Sequence, residues 1–296
     1  MSPRQSRAWP DMETSTRVAC AQLSPVVADP EANRGLADRA IRQALVSGAQ
    51  VIILPELATT GYHLEPSEAA DLAEDVQGAS ITAWVEALRG STAVVVGGFC
   101  ERGSDGNIYN SAAMVSSDGV MSVYRKTHLW DQEHRLFVSG AATPPVVDTP
   151  WGPVGIAVCY DLFFPEVTRG LALGGARLLA VPTNSPSSKS RMPGSIAPAD
   201  GIGHTVARSA AYLNRVYVAV CDRHGDERGH AWTARSSIIG PEGEFLAGPV
   251  AYNEELLLAD CDLADAERKQ WDGTTNDAFA DRRPELYHEV ITTGSA

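Results

Sequence analysis

The chain has 296 residues, of which 44% are hydrophobic and 21% are charged, a composition typical of a globular protein rather than a disordered one. Its formal net charge of -13 argues against general nucleic-acid binding, because phosphate contacts need a basic surface. No stretch reaches the roughly 20 apolar residues of a membrane helix, and the N-terminus lacks the apolar core of a signal peptide. We therefore expect a cytoplasmic protein without a membrane partner.

The first 15 residues carry proline, serine and charge without hydrophobic periodicity, which predicts a flexible leader. A single domain is expected at 16–272, followed by a polar C-terminal tail at 273–296. The domain begins with the β-rich run RVACAQL, after which Asp29-Pro30 predicts the start of an amphipathic helix that ends near Gly48.

Continuous apolar runs of strand length follow, which suit strands covered on both faces. These runs lie at 50–56, 93–99, 153–161, 177–184 and 216–222. Helical stretches separate several of them, near 79–90, 165–174 and 201–213. The alternation predicts a layered α/β fold. Turns at Asp118-Gly119 and Glu242-Gly243 stand between strand-like arms and predict hairpins, so we expect mixed sheets.

The five cysteines are widely spaced, odd in number and without a CxxC pair, which fits neither a disulfide framework nor a common zinc site. One of them, Cys159, ends the run PVGIAVC, and the following Phe164-Pro165-Glu166 can open a helix. A side chain at such a turn projects from the C-terminal edge of a sheet, where open α/β sheets place ligands. A small buried thiol is the alternative interpretation.

Two other charged residues stand at strand ends. Glu56 ends the apolar run VIILP, where burial would be costly without a partner or a task, and Lys126 follows the strand VMSVYR. Glu133 lies a few residues further on. Judged singly, each could be an ordinary solvated side chain.

These residues fall in three blocks, PELATTGY (55–62), YRKTHLWDQEHRLFVSG (124–140) and GIAVCYDLFFPE (155–166), which resemble the signature blocks of the nitrilase, or carbon-nitrogen hydrolase, superfamily. SSIIGPEGE (236–244) is similar to a late hairpin of that family, so the resemblance covers about residues 16–262. It implies an α-β-β-α sandwich and a homodimer or higher homo-oligomer. It also implies a catalytic triad of Glu56, Lys126 and Cys159, with Glu133 as an additional carboxylate beside it.

The implied chemistry is cofactor-free hydrolysis of a small-molecule amide through a thioester on Cys159. An unperturbed thiol has a pKa of about 8.5, so it needs a neighbouring base to react efficiently at pH 7. Glu56 is expected to be that base, and Lys126 to hold the oxyanion together with the backbone N–H of Tyr160. We expect Glu133 to orient Lys126 or the substrate amide.

The block after the cysteine reads Cys-Tyr-Asp-Leu-Phe-Phe-Pro-Glu, which is closest in wording to the ω-amidase and Nit-type branch. An ω-amidase acting on a 2-oxoglutaramate-like monoamide needs a cation for the distal carboxylate, and Arg191 is our candidate, with Lys189 nearby. Other residues beside motif positions or at strand ends are expected to bind substrate. They are Tyr62, Trp130, Tyr160, Phe163 and Asn184.

Several alternatives stay open at this stage. Nitrile or N-carbamoyl amide hydrolysis would use the same nucleophile, and a catalytically silent binding module could keep the same sandwich. His128 or His134 could serve as the base in place of Glu56. A metal site at Cys221, His224 and His230 is disfavoured because a second ligand pair is missing, and we expect none.

Overall fold

The computed structural model describes residues 15–187, 202–250 and 253–287. Within these ranges, six strands form a first sheet in the order β14-β1-β2-β3-β4-β5. Their bounds are β1 (Thr16–Gln22), β2 (Val51–Ile53), β3 (Val94–Arg102), β4 (Ile108–Ser116), β5 (Gly119–Arg125) and β14 (Glu255–Cys261). The three strands β1, β2 and β3 run parallel, whereas β14, β4 and β5 pair antiparallel. The expected mixed sheet is confirmed.

A second six-stranded sheet has the order β13-β12-β9-β8-β7-β6. Its strands are β6 (Val146–Thr149), β7 (Gly152–Ile156), β8 (Leu178–Pro182), β9 (Tyr217–Cys221), β12 (Ser237–Ile239) and β13 (Phe245–Ala247). Again three central strands, β7, β8 and β9, are parallel and the flanking pairs are antiparallel. A short hairpin of β10 (Asp226–Glu227) and β11 (His230–Ala231) lies outside both sheets.

The described ranges contain five α-helices. They are α1 (Pro30–Val46), α2 (Pro66–Leu72), α3 (Ala79–Ala87), α4 (Pro165–Leu173) and α5 (Ile202–Asn214). The start of α1 follows its sequence signal, since the Asp29 carboxylate accepts a 3.0 Å hydrogen bond from the backbone N–H of Ala32. None of these helices is long and apolar enough to cross a lipid bilayer.

Three hydrophobic layers hold these elements together. Between the sheets, side chains such as Ile53 and Val96 of the first sheet pack with Ile156 and Ala180 of the second. The outer face of the first sheet packs against α1 and α3, and that of the second against α4 and α5. The order helix, sheet, sheet, helix confirms the expected α-β-β-α sandwich.

Two of the predicted strands are shorter in the structure than the apolar runs that predict them. The run at 50–56 forms a strand only at Val51–Ile53, and the run at 153–161 ends as a strand at Ile156. In the first case Pro55 has no N–H for the ladder. In the second, residues Cys159–Phe163 turn into a short 3-10 helix. At both points the chain leaves the sheet, so the side chains of Glu56 and Cys159 lie beyond the strand ends rather than within the strands.

The C-terminal region contacts the body of the domain beyond the expected boundary at 272. Ala278 is buried, and the Phe279 ring lies near the cationic groups of Arg169 and Lys269. Lys269 also donates to the backbone carbonyl of Arg215 just after α5, at 2.9 Å. The boundaries of leader, domain and tail stay predictions.

Candidate active site

Four strands end at one edge of the sandwich, and a polar side chain follows each of them. Glu56 follows β2, Lys126 follows β5, Cys159 follows β7 and Asn184 follows β8. β5 runs in the direction of β3 because two antiparallel pairings separate them, so the first two residues leave the same edge of their sheet. A 2.8 Å hydrogen bond from Asn184 Nδ2 to the Glu56 backbone carbonyl joins the edges of the two sheets.

Close approach of the Glu56 turn to β3 depends on Gly98. A Cβ atom at this position would lie 2.4 Å from the Leu57 backbone nitrogen and 2.5 Å from Glu56 Cα. The turn is fixed by backbone hydrogen bonds from Gly98 N–H to the Pro55 carbonyl and from Ala58 N–H to the Gly98 carbonyl. Glycine at 98 therefore lets the acidic side chain leave the sheet at a defined point.

The ammonium group of Lys126 is the centre of the site. Its side chain is fully buried, and Nζ lies 2.7 Å from Oε1 of both Glu56 and Glu133. Burial lowers the pKa of Lys126, but the two carboxylates outweigh that effect and raise the pKa above its ordinary value. The lysine is therefore charged at neutral pH. An ammonium group has three N–H donors, and two of them are used by the carboxylates.

Glu56 has one oxygen occupied and one available. Oε1 accepts hydrogen bonds from Lys126 Nζ and, at 2.8 Å, from Asn110 Nδ2. Oε2 has no hydrogen-bond partner among the described residues. Burial raises the pKa of Glu56 to about 7, with the charge of Lys126 opposing the rise and that of Glu133 adding to it. A carboxyl with a pKa near 7 is suited to proton transfer at neutral pH.

Cys159 begins the 3-10 helix with a φ of +46°, in the left-handed region that non-glycine residues rarely adopt. Its thiol lies 3.8 Å from the backbone carbonyl oxygen of Asn184. The residue as a whole is partly exposed, whereas the other four cysteines are buried. Burial raises the pKa of the Cys159 thiol well above its ordinary value, and the charges of Glu56 and Glu133 raise it further, while the charge of Lys126 opposes the rise. The thiol is therefore protonated at rest and needs a base.

Glu133 is held by Tyr62, whose hydroxyl donates to Glu133 Oε1 at 2.5 Å. The backbone N–H of Tyr62 is in turn bound by the Glu227 carboxylate, which also accepts a 2.8 Å bond from Arg223. Arg223 and Glu227 are both buried. The β10–β11 hairpin thus fixes Tyr62 from the far side of the site.

The aromatic candidates form a cluster around the turn at Cys159. The rings of Trp130 and Tyr160 meet edge to face at 4.7 Å, and Phe163 lies 5.7 Å from Tyr160 between centroids. Trp130 and Phe163 are 40% and 41% exposed, so neither is a core residue. Lys189 and Arg191 lie outside the described residues.

Sequence reasoning missed three residues that support this arrangement. Asn110 and Asp161 are buried, and they bind Glu56 and the Cys159 turn respectively. Asn110 had one visible signal, a polar residue inside the apolar strand β4. Glu227 had none, because its partner Tyr62 is 165 positions away.

A histidine base at His128 and a metal site at Cys221 find less support in the geometry. His128 Nδ1 lies 2.7 Å from Asp161, and its ring stacks on Phe164 at 3.7 Å. The thiol of Cys221 faces the backbone carbonyls of Ala21 and Ile53. No group of three His, Cys, Asp or Glu residues in the described ranges could hold a metal ion.

Comparison with known proteins agrees with the geometry. The profile of the family described as carbon-nitrogen hydrolase matches residues 17–270. A nitrilase from Pyrococcus abyssi is 34% identical over 275 residues, covering 92% of this chain and 98% of the relative. A chloroplastic omega-amidase from Arabidopsis thaliana is 30% identical over 295 residues, covering 94% of this chain and 75% of the relative.

A solved amidase variant from Nesterenkonia sp. AN1 is similar at 26% identity and a TM-score of 0.77. The match covers 96% of this chain and 100% of that chain. Its structure shows covalent addition of the acetamide moiety of fluoroacetamide at the active-site cysteine.

Proposed function

The chain belongs to the carbon-nitrogen hydrolase family, and from this premise we propose that it hydrolyses a small-molecule amide through a thioester on Cys159. As its relatives and structural neighbours show, it is an enzyme of the amidase and nitrilase type. The observation that carries the proposal is Lys126 Nζ, fully buried and bonded to both Glu56 and Glu133. Burying charged groups away from water costs several kcal/mol per ion. A protein that only binds a ligand would have no chemical need for three charged side chains buried together.

The first half of the reaction forms the thioester. Glu56 takes the proton of the Cys159 thiol, and the sulfur attacks the carbonyl carbon of the amide. The third N–H of Lys126 and the backbone N–H of Tyr160 bind the oxyanion. As the tetrahedral intermediate collapses, Glu56 passes its proton to the departing nitrogen. The carbon–nitrogen bond breaks and ammonia leaves.

The second half releases the acid. Glu56, again a carboxylate, takes a proton from water, whose oxygen attacks the thioester carbonyl. The carbon–sulfur bond breaks, and the sulfur recovers its proton from Glu56. The net reaction converts amide and water into carboxylic acid and ammonia. In both halves Glu133 keeps Lys126 in place through its 2.7 Å contact.

We expect kcat/KM to rise with pH through about 7, because only the carboxylate form of Glu56 accepts the thiol proton and burial raises its pKa to about 7. Below that pH the protonated carboxyl predominates, and the rate should fall about tenfold per pH unit. The measurement is kcat/KM for a neutral amide from about pH 5 to about pH 9. A profile flat across the acid limb would contradict Glu56 as the base.

For the substrate we propose a dicarboxylic monoamide of the 2-oxoglutaramate type, with Arg191 as the anchor of its distal carboxylate. Support comes from the wording of the Cys159 block and from the omega-amidase relative. The cytoplasmic location and the homo-oligomeric state also stay predictions.

An ammonia-release panel tests this substrate class. It should contain 2-oxoglutaramate, neutral short amides, an N-carbamoyl amide and a nitrile. We expect Arg191→Ala to lower kcat/KM for 2-oxoglutaramate about tenfold to a hundredfold, the value of a charged hydrogen bond, and to leave neutral amides unchanged. Arg39→Ala, on the exposed side of α1, is the matched control. An unchanged preference for the acidic amide in Arg191→Ala would reject the anchor.

A further inference from the structure

We propose that Asp161 is a positioning residue that sets the orientation of the Cys159 thiol relative to Lys126 and Glu56. The inference rests on the proposed role of Cys159 as the nucleophile. Asp161 is two residues beyond Cys159 in the same 3-10 helix, and its side chain is fully buried. Nothing in the proposed chemical steps uses its carboxylate.

The carboxylate of Asp161 joins two segments that are distant in sequence. Oδ2 accepts from the Val158 backbone N–H at 3.0 Å and from the Tyr124 hydroxyl at 2.9 Å. Oδ1 accepts from the Thr127 hydroxyl at 3.1 Å and from the His128 backbone N–H at 3.2 Å, and His128 Nδ1 lies 2.7 Å away. Both oxygens are therefore fully engaged.

The residues that donate to Asp161 are close in sequence to Cys159 and to Lys126. Val158 immediately precedes Cys159, while Tyr124 and Thr127 stand on either side of Lys126. One rigid carboxylate thus fixes the nucleophile turn to the segment that carries the ammonium group. The stack of His128 on Phe164 braces the same junction from the surface.

The backbone at Cys159 needs such a constraint. A φ of +46° at a residue with a side chain is strained and persists only where the surroundings enforce it. The bond from Val158 N–H to Asp161 closes the turn over Cys159 on its N-terminal side. Without it the turn can relax, and the thiol moves away from Glu56. Misplacement of about 1 Å typically lowers a rate on the order of a hundredfold.

The test is Asp161→Asn, which keeps the size of the side chain but cannot accept at both ends. We expect kcat for a neutral amide to fall about a hundredfold while KM changes by less than about threefold. The rate of Cys159 alkylation by iodoacetamide should fall together with kcat. The alkylation reports on Cys159 because the other four cysteines are buried. A role only in folding would not alter kcat or alkylation of the folded fraction.

Two further variants keep the test decisive. Glu74→Gln is the matched control, since that carboxylate binds the Ser80 N–H and hydroxyl away from the site, and it should change neither kcat nor alkylation. If Asp161→Asn does not fold, Tyr124→Phe removes one donor and should lower both rates about fivefold, the value of one hydrogen bond.

Unchanged kcat and alkylation in folded Asp161→Asn, or in Tyr124→Phe where the first variant does not fold, would overturn the inference. That outcome is separate from failure of the proposed function, which would appear as activity retained in Cys159→Ala.

Discussion

Cys159→Ala should release no measurable ammonia from any amide that the wild-type enzyme hydrolyses. The variant has no sulfur to form the thioester, and loss of a nucleophile of this kind costs on the order of a millionfold in kcat in a serine protease. The fold should survive, because alanine keeps the Cβ atom that packs against the core between the sheets and gives up only a weak hydrogen bond, 3.8 Å long, to the Asn184 carbonyl. The measurement is ammonia release, with circular dichroism to verify folding.

Cys261→Ala is the control for the loss of a cysteine. Its thiol is buried on β14 and contacts the carbonyl of Ala259, so its removal should leave kcat and KM unchanged. Activity retained in Cys159→Ala would remove the basis for a thioester mechanism. It would also leave the buried charges around Lys126 without the task proposed for them.

Glu56→Gln should lower kcat about a hundredfold to ten-thousandfold, the typical contribution of a general base. The amide carbonyl of glutamine can still accept from Lys126, so the change tests proton transfer more than packing. The acid limb of the pH profile, which comes from the pKa of about 7 for Glu56, should disappear in the residual activity. The measurement is kcat/KM across the same pH range as for the wild type.

Glu101→Gln is a suitable comparison, because Glu101 is also a buried acid in an ion pair, with Arg125, but lies outside the Lys126 network. We expect it to lower stability and to leave kcat nearly unchanged. If Glu56→Gln kept both the rate and the pH profile of the wild type, another base would be needed. His128 and His134 would then return as candidates.

The layered fold could be predicted because its signals are local. Apolar runs such as VIILP indicate a parallel strand that is buried on both faces. The backbone preferences of Asp29-Pro30 indicate the start of a helix, and those of Asp118-Gly119 indicate a hairpin turn. Such signals do not indicate the residue at which the chain leaves the sheet. The strands predicted at Glu56 and Cys159 are therefore longer than β2 and β7, which end at Ile53 and Ile156.

Short elements were missed for a related reason. The two-residue strands of the β10–β11 hairpin are defined by their pairing with each other rather than by their own composition. The helix α2 has seven residues, too few to show a helical period clearly.

The supporting residues of the site depend on contacts between distant positions. Glu56 and Asn110 are 54 positions apart, and Tyr124 and Asp161 are 37 apart. Spacing along one chain contains no information on such pairs. The family resemblance could name Glu56, Lys126, Cys159 and Glu133 because it carries the geometry of other folded chains, but it assigned no role to the residues that hold them.

The central claim is that Cys159 carries the acyl group during turnover. Wild-type enzyme quenched in acid while it hydrolyses a slow amide should show, by peptide mass spectrometry, an added mass equal to the amide minus ammonia. We expect that mass on the peptide containing Cys159 and its absence from Cys159→Ala. Steady ammonia release with Cys159 unmodified at every quench time, or with the acyl group on another residue, would contradict the account.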